Sequence, residues 1–148
     1  MTLLSLIACS GCQDPIAEAE LPVETPRPDV VLVTLDTTRA DRLGCYGYEL
    51  ADTPVLDALC SSGRRYDRAY SHIPLTIPSH ASIFTGIYPA GLGIRDNGDA
   101  RLEPSALTLT EILHEDGYQT VASVSAFVTT RTWGFDQGFD AYFDNISR

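Results

Sequence analysis

Val30-Val31-Leu32-Val33-Thr34-Leu35, followed at once by Asp36-Thr37-Thr38-Arg39, is the stretch on which the fold reading turns. A short, β-branched apolar run bounded by polar residues predicts a buried strand of a parallel sheet rather than an amphipathic edge strand. Asp36 ends the run abruptly. A carboxylate at the carboxyl end of a central parallel strand lies where open α/β folds place their ligands.

Downstream, strand and helix signals alternate. Thr53 reads as an N-cap with Pro54 at the first helical position, Val55, Leu56 and Leu59 as an apolar stripe, and Gly63 as the stop. Residues 65–70 read as a short strand or an extended link. A second helix is expected from near Pro78 through Ala81, Ile83 and Phe84 to about Gly86. A third spans residues 107–115, with Thr108 in Thr-x-x-Glu spacing to Glu111 and Gly117 ending it. Residues 120–124 are β-branched and fit another parallel strand. Residues 134–143, rich in glycine and aromatics, read as a packed loop. This alternation predicts an α/β class, a parallel-sheet sandwich.

The N-terminus is organised differently. Residues 1–9 are apolar and uncharged, far short of the roughly 20 residues needed to cross a bilayer. Leu6-Ile7-Ala8-Cys9 resembles a lipobox, in which cleavage before Cys9 leaves a lipidated cysteine; the bland reading is a frayed apolar end. Residues 10–28, acidic and dotted with Pro15, Pro22, Pro26 and Pro28, read as a flexible tether, and residues 29–148 as the folded part. The expected location is therefore exported, lipid-anchored to a bacterial membrane on its periplasmic or cell-surface side. Cys9 and Cys12 form a C-x-x-C without thioredoxin-like surroundings. Cys45 and Cys60 pair if the protein is exported; the preferred reading is two small buried apolar residues.

Charge narrows the partners. Twenty acidic against ten basic residues, all of the latter Arg, give a net charge of −10. That field repels nucleic-acid backbones, so no nucleic-acid partner is expected.

Three polar features sit at the ends of the expected elements: Asp36, the segment Thr76-Ile77-Pro78-Ser79-His80, and the turn Arg95-Asp96-Asn97-Gly98. Taken singly, Asp36 is a turn or cap residue and Thr76 a cap or loop residue. His72 reads as a loop residue, and His114 as one near a helix end. Together the three features allow ester chemistry. Ionising an aliphatic hydroxyl, about as weak an acid as water, costs roughly 12 kcal/mol at neutral pH, most of which a divalent metal removes. Asp36 suits such a metal, amides at a helix start near Pro78 suit an oxyanion, and His80 suits a donor, acid or base.

Asp36-Thr37-Thr38-Arg39-Ala40-Asp41-Arg42-Leu43-Gly44-Cys45-Tyr46-Gly47 resembles the opening metal segment of the sulfatase family in the alkaline phosphatase superfamily. Thr53-Pro54-Val55-Leu56-Asp57-Ala58-Leu59 resembles that family's next helix, and Pro78-Ser79-His80-Ala81-Ser82-Ile83-Phe84-Thr85-Gly86-Ile87-Tyr88-Pro89 its nucleophile helix. The resemblance spans residues 28–143. It implies an alkaline-phosphatase/sulfatase-type fold, here truncated, and a metal-dependent hydrolase of sulfate or phosphate/phosphonate esters. The metal is implied to be calcium, or zinc or manganese if phosphoesterase-like. Asp36 and Thr76 are then metal ligands, Thr76 is also the nucleophile, and Asn97 contacts the transferred group, with Asp96 orienting its turn.

The sequence departs from the pattern at three positions. Thr37 replaces a second carboxylate, and Thr76 and His80 replace residues of the formylglycine maturation signature, whose nucleophile is Cys or Ser. Thr nucleophiles belong to phosphodiesterase and phosphoethanolamine-transferase branches of the superfamily, which keeps phosphorus esters open. The family's second metal-binding group has no counterpart after Asn97. The expectation is half a site acting on a small-molecule or glycan ester; the alternative is a non-catalytic, membrane-tethered fragment or binding module. Oligomeric state is not indicated.

Overall fold

A computed structural model describes residues 27–98 and 100–146. Cys9, Cys12, residues 1–9 and nearly all of the tether lie outside the described residues. The chain divides into two units, Met1–Thr34 and Leu35–Arg148.

Of the first unit, residues 27–34 are described, and they correct the opening expectation. The run forms no strand, and Val30, Val31 and Val33 are 54%, 82% and 71% exposed. A strand exists only through a paired neighbour, and the described sheet contains two strands elsewhere in the chain. No described helix is long and apolar enough to cross a membrane.

The second unit carries the helices and the sheet. Helix α1 (Pro54–Ser62) has Thr53 at its N-cap, Pro54 in its first turn and Gly63 at its C-cap, as the sequence predicts. Thr53 does not cap through its side chain. Its hydroxyl instead accepts the Gly44 amide at 3.1 Å and donates to Asp57. Asp57 also accepts the Cys45 amide at 2.7 Å, so the turn at Gly44–Tyr46 is pinned to α1. A Cys45–Cys60 disulfide with Cα atoms 6.3 Å apart completes the clamp, which corrects the reading of two separate apolar cysteines. Closing a 15-residue loop this way contributes roughly 3 kcal/mol. The predicted stripe is also corrected: Val55 and Leu59 are exposed, and polar bonds hold this side of α1.

Helix α2 (Thr76–Thr85) ends at Gly86 as expected but begins two residues earlier than expected, with Leu75 as N-cap. It organises the core. Ile77 and Ala81, four residues apart and thus on one face, are buried with Ile94, Leu102 and Phe135. Phe84 lies one turn further along and packs against them, whereas Ile83 is exposed. Each fully buried aliphatic side chain contributes roughly 2 kcal/mol. A short helix α3 (Pro89–Leu92) follows, and residues 65–70 form no strand but a link with a turn at Asp67-Arg68.

Helix α4 (Leu109–Glu115) shows the predicted capping box: Thr108 Oγ1 accepts the Glu111 amide at 3.1 Å, and Glu111 accepts the Thr108 amide at 2.8 Å. Thr108→Ala is expected to cost about 1 kcal/mol, read as a lower urea midpoint with unchanged slope. Strand β1 (Val121–Ser123) confirms the predicted strand, and it pairs in parallel with β2 (Ala141–Phe143). The second strand corrects the reading of residues 134–143 as loop throughout, although Phe135 within them is buried as a packed loop requires. Burial pushes the Tyr142 phenol up to about 12, so it stays protonated and donates to the Thr129 carbonyl.

Two aspartates staple the sheet ends. Asp144 accepts Arg131 Nε at 3.0 Å, and that guanidinium holds its carboxyl below the ordinary 3.8. Asp140 accepts the Thr120 amide at 2.8 Å, which lowers its carboxyl in the same direction. A depressed folded pKa adds stability that is present above the unfolded value and lost as pH falls through the folded one. The urea midpoint is therefore expected to stay flat from about pH 7 to 5 and to drop below about pH 4. Asp144→Asn should shallow that acid limb.

Candidate active site

The site residues come from three places. Asp36 and Thr37 form a turn closed by a bond from the Thr38 amide to the Leu35 carbonyl at 3.3 Å. Thr76 is the first residue of α2, and Asn97 lies in the bend after α3. Thr76 Oγ1 donates to Asp36 Oδ2 at 3.1 Å across 40 residues of sequence. That is the nucleophile-to-acceptor geometry that ester chemistry needs.

Thr37 aims the carboxylate. Its amide donates to Asp36 Oδ1 at 3.0 Å and its hydroxyl to the Asp36 carbonyl at 2.7 Å. Oδ2 is thereby left to Thr76. The arrangement holds Thr37 at φ 57, the one left-handed non-glycine among the described residues. For a β-branched residue that conformation costs about 1–2 kcal/mol, and such outliers cluster at functional sites. The sequence reading saw Thr37 as a missing carboxylate and missed this orienting part. An Asp-Thr turn closing an apolar run was the available signal.

Asn97 Oδ1 accepts the Ile77 amide at 2.9 Å, and Asp96 accepts the Asn97 amide at 2.7 Å, so Asp96 does brace the turn. No bond among the described residues uses the Asn97 Nδ2 hydrogens. The Ile77 contact revises the expected oxyanion cradle. Because α2 starts at Thr76, its first-turn amides are Thr76, Ile77 and, after the proline without N–H, Ser79. Ile77 is taken by Asn97, and Ser79 donates to the Leu75 carbonyl at 3.1 Å. Only the Thr76 amide remains to face an anion.

His80 is buried, its Nδ1 2.9 Å from the Thr76 carbonyl. Ser79, the neighbouring hydroxyl, pairs with Ser71 at 2.8 Å and faces no base in that contact. His72 stands edge-on to Tyr88, and His114 lies 3.3 Å from Asp140, so neither joins the site.

Asp36 and Thr76 meet through a hydrogen bond, and their donor set falls short of a cation site among the described residues. Among the described residues no three His, Cys, Asp or Glu side chains converge on one point. Two oxygens compare with the roughly six that a hard divalent cation takes, and the Thr37 hydroxyl is turned back onto the backbone.

Comparison with known proteins settles the kinship. Residues 28–148 match the sulfatase family. The chain belongs to that family. An N-acetylglucosamine-6-O-sulfatase of Bacteroides thetaiotaomicron is 29% identical over 90% of this chain and 23% of its own length. An ulvan-active sulfatase of Formosa agariphila is 34% identical over 74% of this chain and 21% of its own, and human arylsulfatase A is 35% identical over 69% and 21%. The fold agrees. A structure solved with its substrate D-glucosamine-2-N,6-O-disulfate superposes with a TM-score of 0.61 at 30% identity, over 70% of this chain and 20% of that one. The sulfatase-family chain thus spans between a fifth and a quarter of the length of these three curated relatives.

Proposed function

We propose that this sulfatase-family chain carries the nucleophile half of an ester-hydrolysing site, with Thr76 as the attacking group. The 3.1 Å bond from Thr76 Oγ1 to Asp36 Oδ2 carries the reading. Thr76 Oγ1 attacks the sulfur or phosphorus, the bond from that atom to the ester oxygen breaks, and the alcohol leaves. The Thr76 proton passes to Asp36, and the leaving oxygen, on the opposite side of the reacting atom, takes its proton from solvent. An aspartate is too weak a base to ionise an alcohol beforehand, so the proton moves as the new bond forms. Water then hydrolyses the threonyl ester. Asn97 supplies its Nδ2 hydrogens to the transferred group, and His80 supports Thr76 from within α2.

The relatives' names support a sulfated saccharide as substrate; the Thr at position 76 keeps phosphate and phosphonate esters within the proposal. Asp36 and Thr76 are two donors for a divalent cation, which needs roughly four more oxygens from elsewhere. The Cys45–Cys60 bond supports an oxidising, extracytoplasmic location, and with it the anchor at Cys9.

The test is covalent capture. The chain is mixed with aryl sulfates, sulfated glucosamine, phosphate mono- and diesters and phosphonates, quenched in acid, digested and analysed by mass spectrometry. A sulfuryl or phosphoryl group on Thr76 is expected, and the substrate that gives it names the ester class. Modification at Ser79 instead, or none with any ester, would overturn the reading. The two-donor set favours a second reading, a tethered module without catalysis, and it predicts an unmodified chain that still binds the saccharide.

A further inference from the structure

His80 reaches back along α2. Side chains on a helix lean toward its N-terminus, so a ring at one position meets the turn four residues earlier. The His80 ring is 8% exposed, edge-on to Phe135 with centroids 6.2 Å apart, and its Nδ1 lies 2.9 Å from the Thr76 carbonyl. A carbonyl oxygen only accepts, so Nδ1 carries a proton whatever the charge on the ring. From the other side, Asn97 Oδ1 accepts the amide of Ile77 at 2.9 Å. The peptide unit joining Thr76 to Ile77 is therefore held at both its carbonyl and its amide. That unit is bonded to the Thr76 Cα, from which the side chain projects toward Asp36.

We infer that His80 is a positioning residue: its Nδ1–H fixes the Thr76–Ile77 peptide, and through it the direction of the Thr76 hydroxyl. Phe135 fixes the ring in turn. The kinetic consequence rests on Thr76 being the nucleophile, as proposed above; the geometry of the lock does not. A ring that merely filled space would be replaced by any side chain of similar volume. A lock through Nδ1 requires a donor at the Nδ1 position. Asn places its amide nitrogen near the Nδ1 position, whereas Gln places it near Nε2.

The experiment therefore compares the wild-type chain with His80→Asn, His80→Gln and His80→Ala. Long-range proton–nitrogen NMR of the labelled wild-type ring at neutral pH is expected to show a protonated Nδ1. The Thr76 carbonyl carbon shift should stay at its wild-type value in H80N and move in H80Q and H80A. With an ester that is turned over, H80Q and H80A should lose about 10²-fold in kcat at nearly unchanged KM, while H80N stays within a few-fold of wild type. A bare Nδ1, an H80N variant as impaired as H80A, or an H80Q variant equal to wild type would each overturn the inference. If no variant turns over any ester, the NMR comparison still decides the lock, and only the nucleophile reading falls. If H80A does not fold, the contrast between H80N and H80Q remains.

Discussion

Thr76→Ala is expected to lower ester turnover by about 10³-fold or more, because removing a nucleophile leaves only binding and orientation to help water. Thr76→Ser keeps the hydroxyl and should stay within about tenfold of wild type. Asp36→Asn keeps the shape of the acceptor but not its charge, and a general base contributes about 10²–10⁴-fold. The two residues touch at 3.1 Å and share one proton in the proposed step, so their losses should not add. The double variant is expected to be no slower than T76A alone. Steady-state kinetics on the four proteins decide this. An unchanged rate in T76A would sink the nucleophile assignment. Fully additive losses would separate Asp36 from Thr76 and return it to a role elsewhere.

The strain at Thr37 belongs to the same unit. A β-branched residue at φ 57 is disfavoured by about 1–2 kcal/mol, and the surroundings keep it there. What the conformation achieves is specific: one carboxylate oxygen of Asp36 is occupied by the Thr37 amide, and the other is left to Thr76. The orientation of the carboxylate is thereby fixed before substrate arrives, which is the condition for a short-range proton transfer to be fast.

The parts of this chain that were legible in sequence are those governed by neighbours in sequence. Thr53-Pro54 with Gly63, and Thr108 with Glu111, specify helix ends through contacts within one turn, and α1 and α4 form where those signals put them. Residues 120–124 similarly announced β1 by composition. What failed depends on distant partners. The run at residues 30–35 has strand composition but no described strand beside it. Ala141–Phe143 carries the strand formers Tyr142 and Phe143 but follows a glycine-rich stretch, and it becomes a strand by pairing with Val121–Ser123, 20 residues away in register. Cys45 met Cys60 through the Asp57 anchor, which no spacing rule contains. The meeting of Asp36 with Thr76 came from family resemblance, not from periodicity. The hold of Asn97 on Ile77 needed coordinates, because a side-chain amide gives no sign in sequence of which backbone amide it will meet.

Gly138→Ala should be strongly damaging to the folded state, at about 4 kcal/mol. Gly138 sits at φ 77, where any residue with a Cβ is strained by about 1–2 kcal/mol. It also lies hard against α4: a Cβ there would fall 2.5 Å from the Glu111 nitrogen and 2.8 Å from its Cα. Those are backbone atoms of the capping turn, which cannot swing aside as a side chain would, and overpacking of this kind adds roughly 1–3 kcal/mol. Relief by shifting the loop is resisted as well, because the Gly138 carbonyl accepts the Thr120 hydroxyl at 2.6 Å at the entry to β1. One methyl group therefore sets α4 against the sheet. For a folded unit of this size the melting temperature is expected to fall by roughly 10–20 °C. Thr108→Ala in the G138A background discriminates the mechanism. If the methyl has already broken the capping turn, the second change costs almost nothing, whereas a full additional loss of about 1 kcal/mol would place the damage in the β1–β2 loop instead.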